Sequence, residues 1–102
     1  MNEVRLTGRL VCATDAEQAI VARLLPEHIA LTRAEPGCIR FEVTQIEGSL
    51  IWRVEERFAD AASFHAHQAR VAASEWGHAT HGIAREYVVE GLAEPDSAPL
   101  DE

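Results

Sequence analysis

The hydrophobic period of this chain switches back and forth between two and about 3.6, and that succession limits its fold more than any single residue does. Residues 3–13 alternate, with Val4, Leu6, Gly8, Leu10 and Cys12 opposed to Arg5, Thr7, Arg9 and Val11, which predicts a strand. Thr14-Asp-Ala-Glu17 has capping-box spacing and opens a helix. It runs to about Ala34, with Ile20, Val21, Leu24, Leu25, His28, Ile29 and Leu31 at helical intervals. Pro26 inside it removes one backbone donor and predicts a kink or one lost hydrogen bond. Glu35-Pro-Gly37 stops the helix. From Cys38 to Ile46 alternation returns, with Ile39, Phe41 and Val43 facing away from Arg40, Glu42 and Thr44. Glu47-Gly-Ser49 is a hairpin signal, and Leu50–Phe58 is the returning strand, with Leu50, Trp52, Val54, Glu56 and Phe58 on one side. Asp60 is placed to cap a second helix from Ala61 to about Ala73. Ser74–Gly82 reads as a short helix or a turn. Ile83–Leu92 is the last strand, with Tyr87, Val89 and Gly91 opposed to Val88, Glu90 and Leu92.

The order is β-α-β-β-α-β, an α+β arrangement of the ferredoxin-like plan. It predicts a four-stranded antiparallel sheet with two helices on one face. The other face keeps apolar residues among its charges, so a homodimer through that open face is expected. A chain of 102 residues has room for one core. We expect a single domain over 1–92 and an acidic, disordered tail over 93–102, where two prolines and four acids leave little to bury.

Charge and composition exclude several functions. The net charge is −8, and no cluster of bases is present to neutralise phosphates, so neither nucleic acid nor an anionic membrane is an expected partner. All nine basic residues are Arg. Without Lys, Schiff-base catalysis and a Gly-Lys-Ser/Thr phosphate loop are excluded. Neither G-x-S-x-G nor G-x-G-x-x-G occurs. No apolar run is long enough for a membrane span, and residues 1–10 lack the apolar stretch of a secretory signal. A cytoplasmic location is the expectation. Cys12 and Cys38 lack C-x-x-C spacing and read as reduced thiols.

Two segments carry a more specific signal. Arg33-Ala-Glu-Pro-Gly-Cys-Ile-Arg-Phe41 resembles the helix-to-strand junction of the antibiotic biosynthesis monooxygenase (ABM) domain family. Glu56-Arg-Phe58-Ala-Asp60-Ala-Ala-Ser-Phe64-His-Ala-His67 is similar to that family's second signature, a Glu, an aromatic two residues later, a helix start and a helix-borne His. The resemblance spans about residues 3–92. It implies a dimeric α/β barrel with a pocket between sheet and helices in each subunit. Family members oxidise small aromatic molecules with dioxygen and no metal or flavin, degrade haem, or isomerise a small signalling molecule. Anthrone-oxidising members carry Asn, Trp and Tyr where this chain has Val54, Phe58 and Phe64, and haem-degrading members carry Trp where it has His67.

The candidate site follows from face and spacing. His67 shares the core side of the second helix with Phe64 and Val71, and its reference pKa near 6.5 suits proton transfer at neutral pH. Glu56, on an apolar strand face with Trp52, Val54 and Phe58, calls for a partner, and His67 is the expected one. His28, Phe41, Trp52, Phe64 and Trp76 are candidate walls for a flat ligand, or plain core. His65 and His67 diverge around the helix, and His78 with His81 has no third ligand at suitable spacing, so no metal is expected. With the resemblance, these residues predict an oxygenase that needs no cofactor, takes a small phenolic or quinol substrate and dioxygen, and uses His67 as proton acceptor. The alternatives are an acid–base isomerase and a small-molecule binding domain without turnover.

Overall fold

A computed structural model describes residues 2–92; the expected tail, 93–102, lies outside the described residues. The elements are β1 (Val4–Val11), α1 (Asp15–Arg33), β2 (Cys38–Gln45), β3 (Ile51–Phe58), α2 (Ala61–Ala72), α3 (Glu75–Thr80) and β4 (Ala84–Glu90). They form one four-stranded sheet in the order β2-β3-β1-β4, with every neighbouring pair antiparallel. This is the ferredoxin-like arrangement, and within one chain the sheet stays open.

Local signals set the helices. Thr14 caps α1 by accepting from the Glu17 N–H at 3.1 Å, while the Glu17 carboxylate reaches back to the Ala13 N–H at 2.7 Å. The helix then runs unbroken through Pro26. Asp60 caps α2 through the Ser63 N–H at 2.8 Å. The two expected helices become three, because Ser74 accepts from the Gly77 N–H at 3.0 Å and donates to the Val71 carbonyl at 2.7 Å. That short helix presses on the end of α2 at Gly77, where a Cβ would stand 2.0 Å from the Val71 carbonyl oxygen.

Alternation sorts the sheet into two faces. Val4, Leu6 and Leu10 of β1, Phe41 and Val43 of β2, and Trp52, Val54, Glu56 and Phe58 of β3 are buried beneath the helices. Val21, Leu24 and Leu25 of α1, Phe64 and Val71 of α2, and Trp76 of α3 close that core from the other side. Ile39 departs from the expected pattern. The pairing of β2 with β3 slips between Cys38 and Arg40, so Ile39 becomes an extra residue and turns outward, half exposed. The sequence period continues through the bulge although the backbone does not. The outer face is mostly charged, with Arg9 paired to Glu86, Arg40 to Glu55 and Arg57 to Glu3, alongside the exposed Val88.

Candidate active site

The first turns of α2 bring His67 over the inner face of the sheet, one turn beyond Phe64 and one before Val71. Its side chain is completely buried. Nδ1 lies 2.8 Å from Glu35 Oε1, in the junction between α1 and β2. Arg70, three residues along α2, donates from Nε to Glu35 Oε2 at 2.5 Å and from Nη2 to Thr32 Oγ1 at 3.0 Å. The Glu35 carboxylate thus bridges His67 and Arg70, and Thr32 steadies the guanidinium. Close approach makes this geometry available: a Cβ on Gly37 would stand 2.1 Å from Ser63 Oγ, so the junction rests directly on the first turn of α2.

Glu56, the partner expected for His67, stands with its Oε1 3.9 Å from Nε2, beyond hydrogen-bond range but well within electrostatic reach. It has no exposed side-chain surface. His67 is therefore bracketed, with Glu35 on Nδ1 and Glu56 facing Nε2. Glu35 escaped the sequence reading because Glu-Pro-Gly there marks the end of a helix. Its partner is 32 positions away, and only folding brings them together.

Aromatic rings pack around His67. The Phe58 ring lies 4.8 Å from the imidazole between centroids, and Phe41 lies 5.9 Å away. Phe64 meets Phe58 edge-on at 5.9 Å. His28 stands in this layer too, edge-on to Phe41 at 5.2 Å and stacked on Trp76 at 4.4 Å with the planes 6° apart. Neither nitrogen of His28 has a hydrogen-bond partner among the described residues, and the same holds for Trp76 Nε1. Burial, followed by the neighbouring His67, Arg70 and Arg85, pushes the His28 pKa down from 6.5 to about 3. Its imidazole is neutral over the working pH range. Trp52 sits apart, donating from Nε1 to Gln18 Oε1 at 2.8 Å near the start of α1. Val54 lies between these two ends of β3, in the core.

A cleft of about 460 Å³ opens beside His67, lined by Glu35, Pro36, Gly37, Ala62, Ser63, Ala66, His67 and Arg70. Its volume falls within the range of small-molecule sites. Small residues form most of its walls, and the charged groups stand at one end. A much smaller cavity, about 30 Å³, lies between α1 and α3 and is lined in part by His28, Leu31 and Trp76. Among the described residues, no three His, Cys, Asp or Glu side chains converge in a way that could hold a metal ion. No helix among them is long and apolar enough to cross a membrane. No disulfide joins Cys12 and Cys38.

An open ferredoxin-like sheet, a buried histidine set between two carboxylates and a cleft beside it define a small α+β domain with a candidate acid–base site. The family description "Antibiotic biosynthesis monooxygenase" matches residues 5–79, and the chain belongs to that family. No curated protein sequence matches it. Among solved structures, it is similar to a putative antibiotic biosynthesis monooxygenase from Nitrosomonas europaea, with a TM-score of 0.75 and 18% identity over 92% of this chain and 93% of that one. It is also similar to SnoaB, a cofactor-independent oxygenase from Streptomyces nogalater, with a TM-score of 0.72 and 13% identity over 96% of this chain and 100% of that one. MupZ from Pseudomonas fluorescens gives a TM-score of 0.75 and 19% identity over 91% of this chain and 71% of that one.

Proposed function

We propose that this chain is a cofactor-independent monooxygenase acting on a small phenolic, quinol or polyketide-like aromatic molecule, with His67 as the proton acceptor. The observation that carries this reading is the buried His67, held by Glu35, facing Glu56 and walled by Phe41 and Phe58. Glu56 shares the acid–base work. The substrate enters by the cleft past Gly37 and Ala66 toward the His67 imidazole. His28, Phe64 and Trp76 extend the apolar wall, while Trp52, Val54 and the rest of β3 support it from below.

Deprotonation makes such a molecule electron-rich enough to reduce dioxygen itself, so the pocket supplies a base and a dry environment. One electron passes to dioxygen, and the resulting radical pair combines to form a C–O bond. The peroxide takes back the proton and, with loss of the adjacent C–H hydrogen, its O–O bond breaks to release water. The balance is SH2 + O2 → SO + H2O. We further propose a homodimer through the outer sheet face, where the alternating Arg and Glu side chains offer a self-complementary surface. Light scattering tests it, and a chain that stays monomeric at micromolar concentration overturns it.

The function is tested by oxygen consumption with quinols, anthrones and flavonols, using metal-stripped protein and subtracting autoxidation. Enzyme-dependent uptake that His67→Ala abolishes supports the proposal. Turnover without oxygen uptake would make the chain an acid–base isomerase. Binding without turnover, read as thermal stabilisation, would make it a ligand-binding domain.

A further inference from the structure

Arg70 stands in the cleft beside His67 with part of its guanidinium uncommitted. Of its five N–H donors, two are used: Nε bonds Glu35 Oε2, and Nη2 bonds Thr32 Oγ1 at 3.0 Å. Both lie on one edge of the planar fork. The far end, Nη1 with the second hydrogen of Nη2, has no hydrogen-bond partner among the described residues. The Arg70 side chain is 30% exposed, whereas His67 on the same wall has no exposed side-chain surface. Arg9, Arg40 and Arg57 also meet carboxylates, but on the outer sheet face and away from this cleft.

The rest of the cleft suits what such a donor would hold. Pro36, Gly37, Ala62 and Ala66 give it small, apolar walls with room for a flat ring. Arg70 is the one lining side chain that is positively charged at every working pH. With the Glu35 carboxyl already on one edge of the guanidinium, the far end fits one anionic oxygen better than a doubly charged phosphate. Two bonds fix the guanidinium before a ligand arrives, so little side-chain freedom is lost on binding.

We propose that Arg70 is the anion-holding residue of the cleft: the Nη1 end of its guanidinium binds the ionised hydroxyl of a small aromatic ligand, and the cleft prefers a phenolate to the neutral phenol or its methyl ether. In the reaction proposed above, the hydroxyl proton goes to His67. The electron pair stays on the ligand oxygen, where Arg70 stabilises it. The catalytic meaning of Arg70 rests on that reaction; the anion preference does not.

The probe is para-nitrophenol, whose phenolate absorbs visible light and whose neutral form does not, with para-nitroanisole as the uncharged control. Its ionisation is followed by absorbance in the presence of the full chain. Of the titratable groups lining the cleft, Glu35 when ionised raises the pKa of a neighbouring hydroxyl, while Arg70, and His67 when protonated, lower it. Wild type should lower the probe's pKa by about one unit or more, a preference of about tenfold for the phenolate. Arg70→Met keeps the length and removes the charge. It should abolish that shift and leave para-nitroanisole binding as in wild type. Ala66→Leu, at an exposed helical position, fills the cleft and should weaken both probes by about tenfold or more.

A probe pKa that the protein leaves unchanged would overturn the proposal. So would a shift that survives in Arg70→Met, or affinities that Ala66→Leu leaves intact. Should Arg70→Met fail to fold, the wild-type shift and its loss in Ala66→Leu decide the matter. Oxygen uptake that is equal in wild type and Arg70→Met would keep the oxygenase reading and remove Arg70 from it. A phenolate preference lost in Arg70→Met, beside no oxygen uptake on any substrate, would remove the oxygenase reading and leave the anion site standing.

Discussion

Glu55 and Glu56 are neighbours on β3, and one step along the strand puts them in opposite environments. Glu55 points outward, half exposed, with the Arg40 guanidinium 3.1 Å away in water. Glu56 points inward, with no exposed side-chain surface, beneath His67 and among Phe41 and Phe58. The same contrast runs through both faces of the sheet. Outside, charges pair loosely at the surface and each contributes little. Inside, rings and aliphatic side chains supply the cohesion, and the carboxylate among them imposes a desolvation cost that packing alone does not require. One step along the strand thus decides whether a carboxyl meets water or the core.

The largest test of that difference is Phe58→Ala, which leaves a hole under His67 and should cost about 3–5 kcal/mol in urea unfolding. A comparably small loss from this substitution would mean that the inner layer is loosely packed. Next is His28, whose buried imidazole resists a proton that the unfolded chain binds freely. Because its folded pKa is lowered from 6.5 to about 3, its contribution is intact above pH 6.5 and is lost as pH falls from there toward 3. His28→Phe keeps the stack on Trp76 and removes that loss. Its stability advantage over wild type should grow on acidification, reaching on the order of a few kcal/mol, as thermal melts over a pH series would show.

Glu56→Leu should separate stability from function. With Glu35 still holding His67, the variant should unfold about 1 kcal/mol later than wild type, or at the same point, and should lose turnover. A destabilised variant would indicate that Glu56 holds the fold together. Smallest of all is Glu55→Gln, expected to change stability by less than about 1 kcal/mol and to leave oxygen uptake untouched.

Much of this was legible in the sequence, and the gaps have physical causes. Thr14, Asp60 and the alternation of β1 and β3 act within a few residues, so their signals survive without tertiary context. Ser74–Gly82 was ambiguous because α3 is only six residues long and is held by a serine cap and a glycine contact rather than by an amphipathic stripe. Ile39 reads as inward in the sequence because a bulge leaves the period unbroken. Trp52 and Glu56 share a strand face, yet four residues of strand separate them by about 13 Å. Shared face is a weaker statement than shared site. Glu35 could not be found by spacing at all, since its contact with His67 depends on where the α1–β2 junction meets α2.

Gly37 has no ionisable group and no role in proton transfer, yet its bare backbone lies where a methyl group would collide with Ser63. It is the spacer that sets how near the Glu35 junction comes to the helix bearing His67. On the proposed function, Gly37→Ala would surface beside His67 and Glu56 in an unbiased screen for inactive variants and invite assignment as part of the chemistry. Its lesion would be one of distance: every reactive group retained, and the two halves of the machinery held apart by a single carbon.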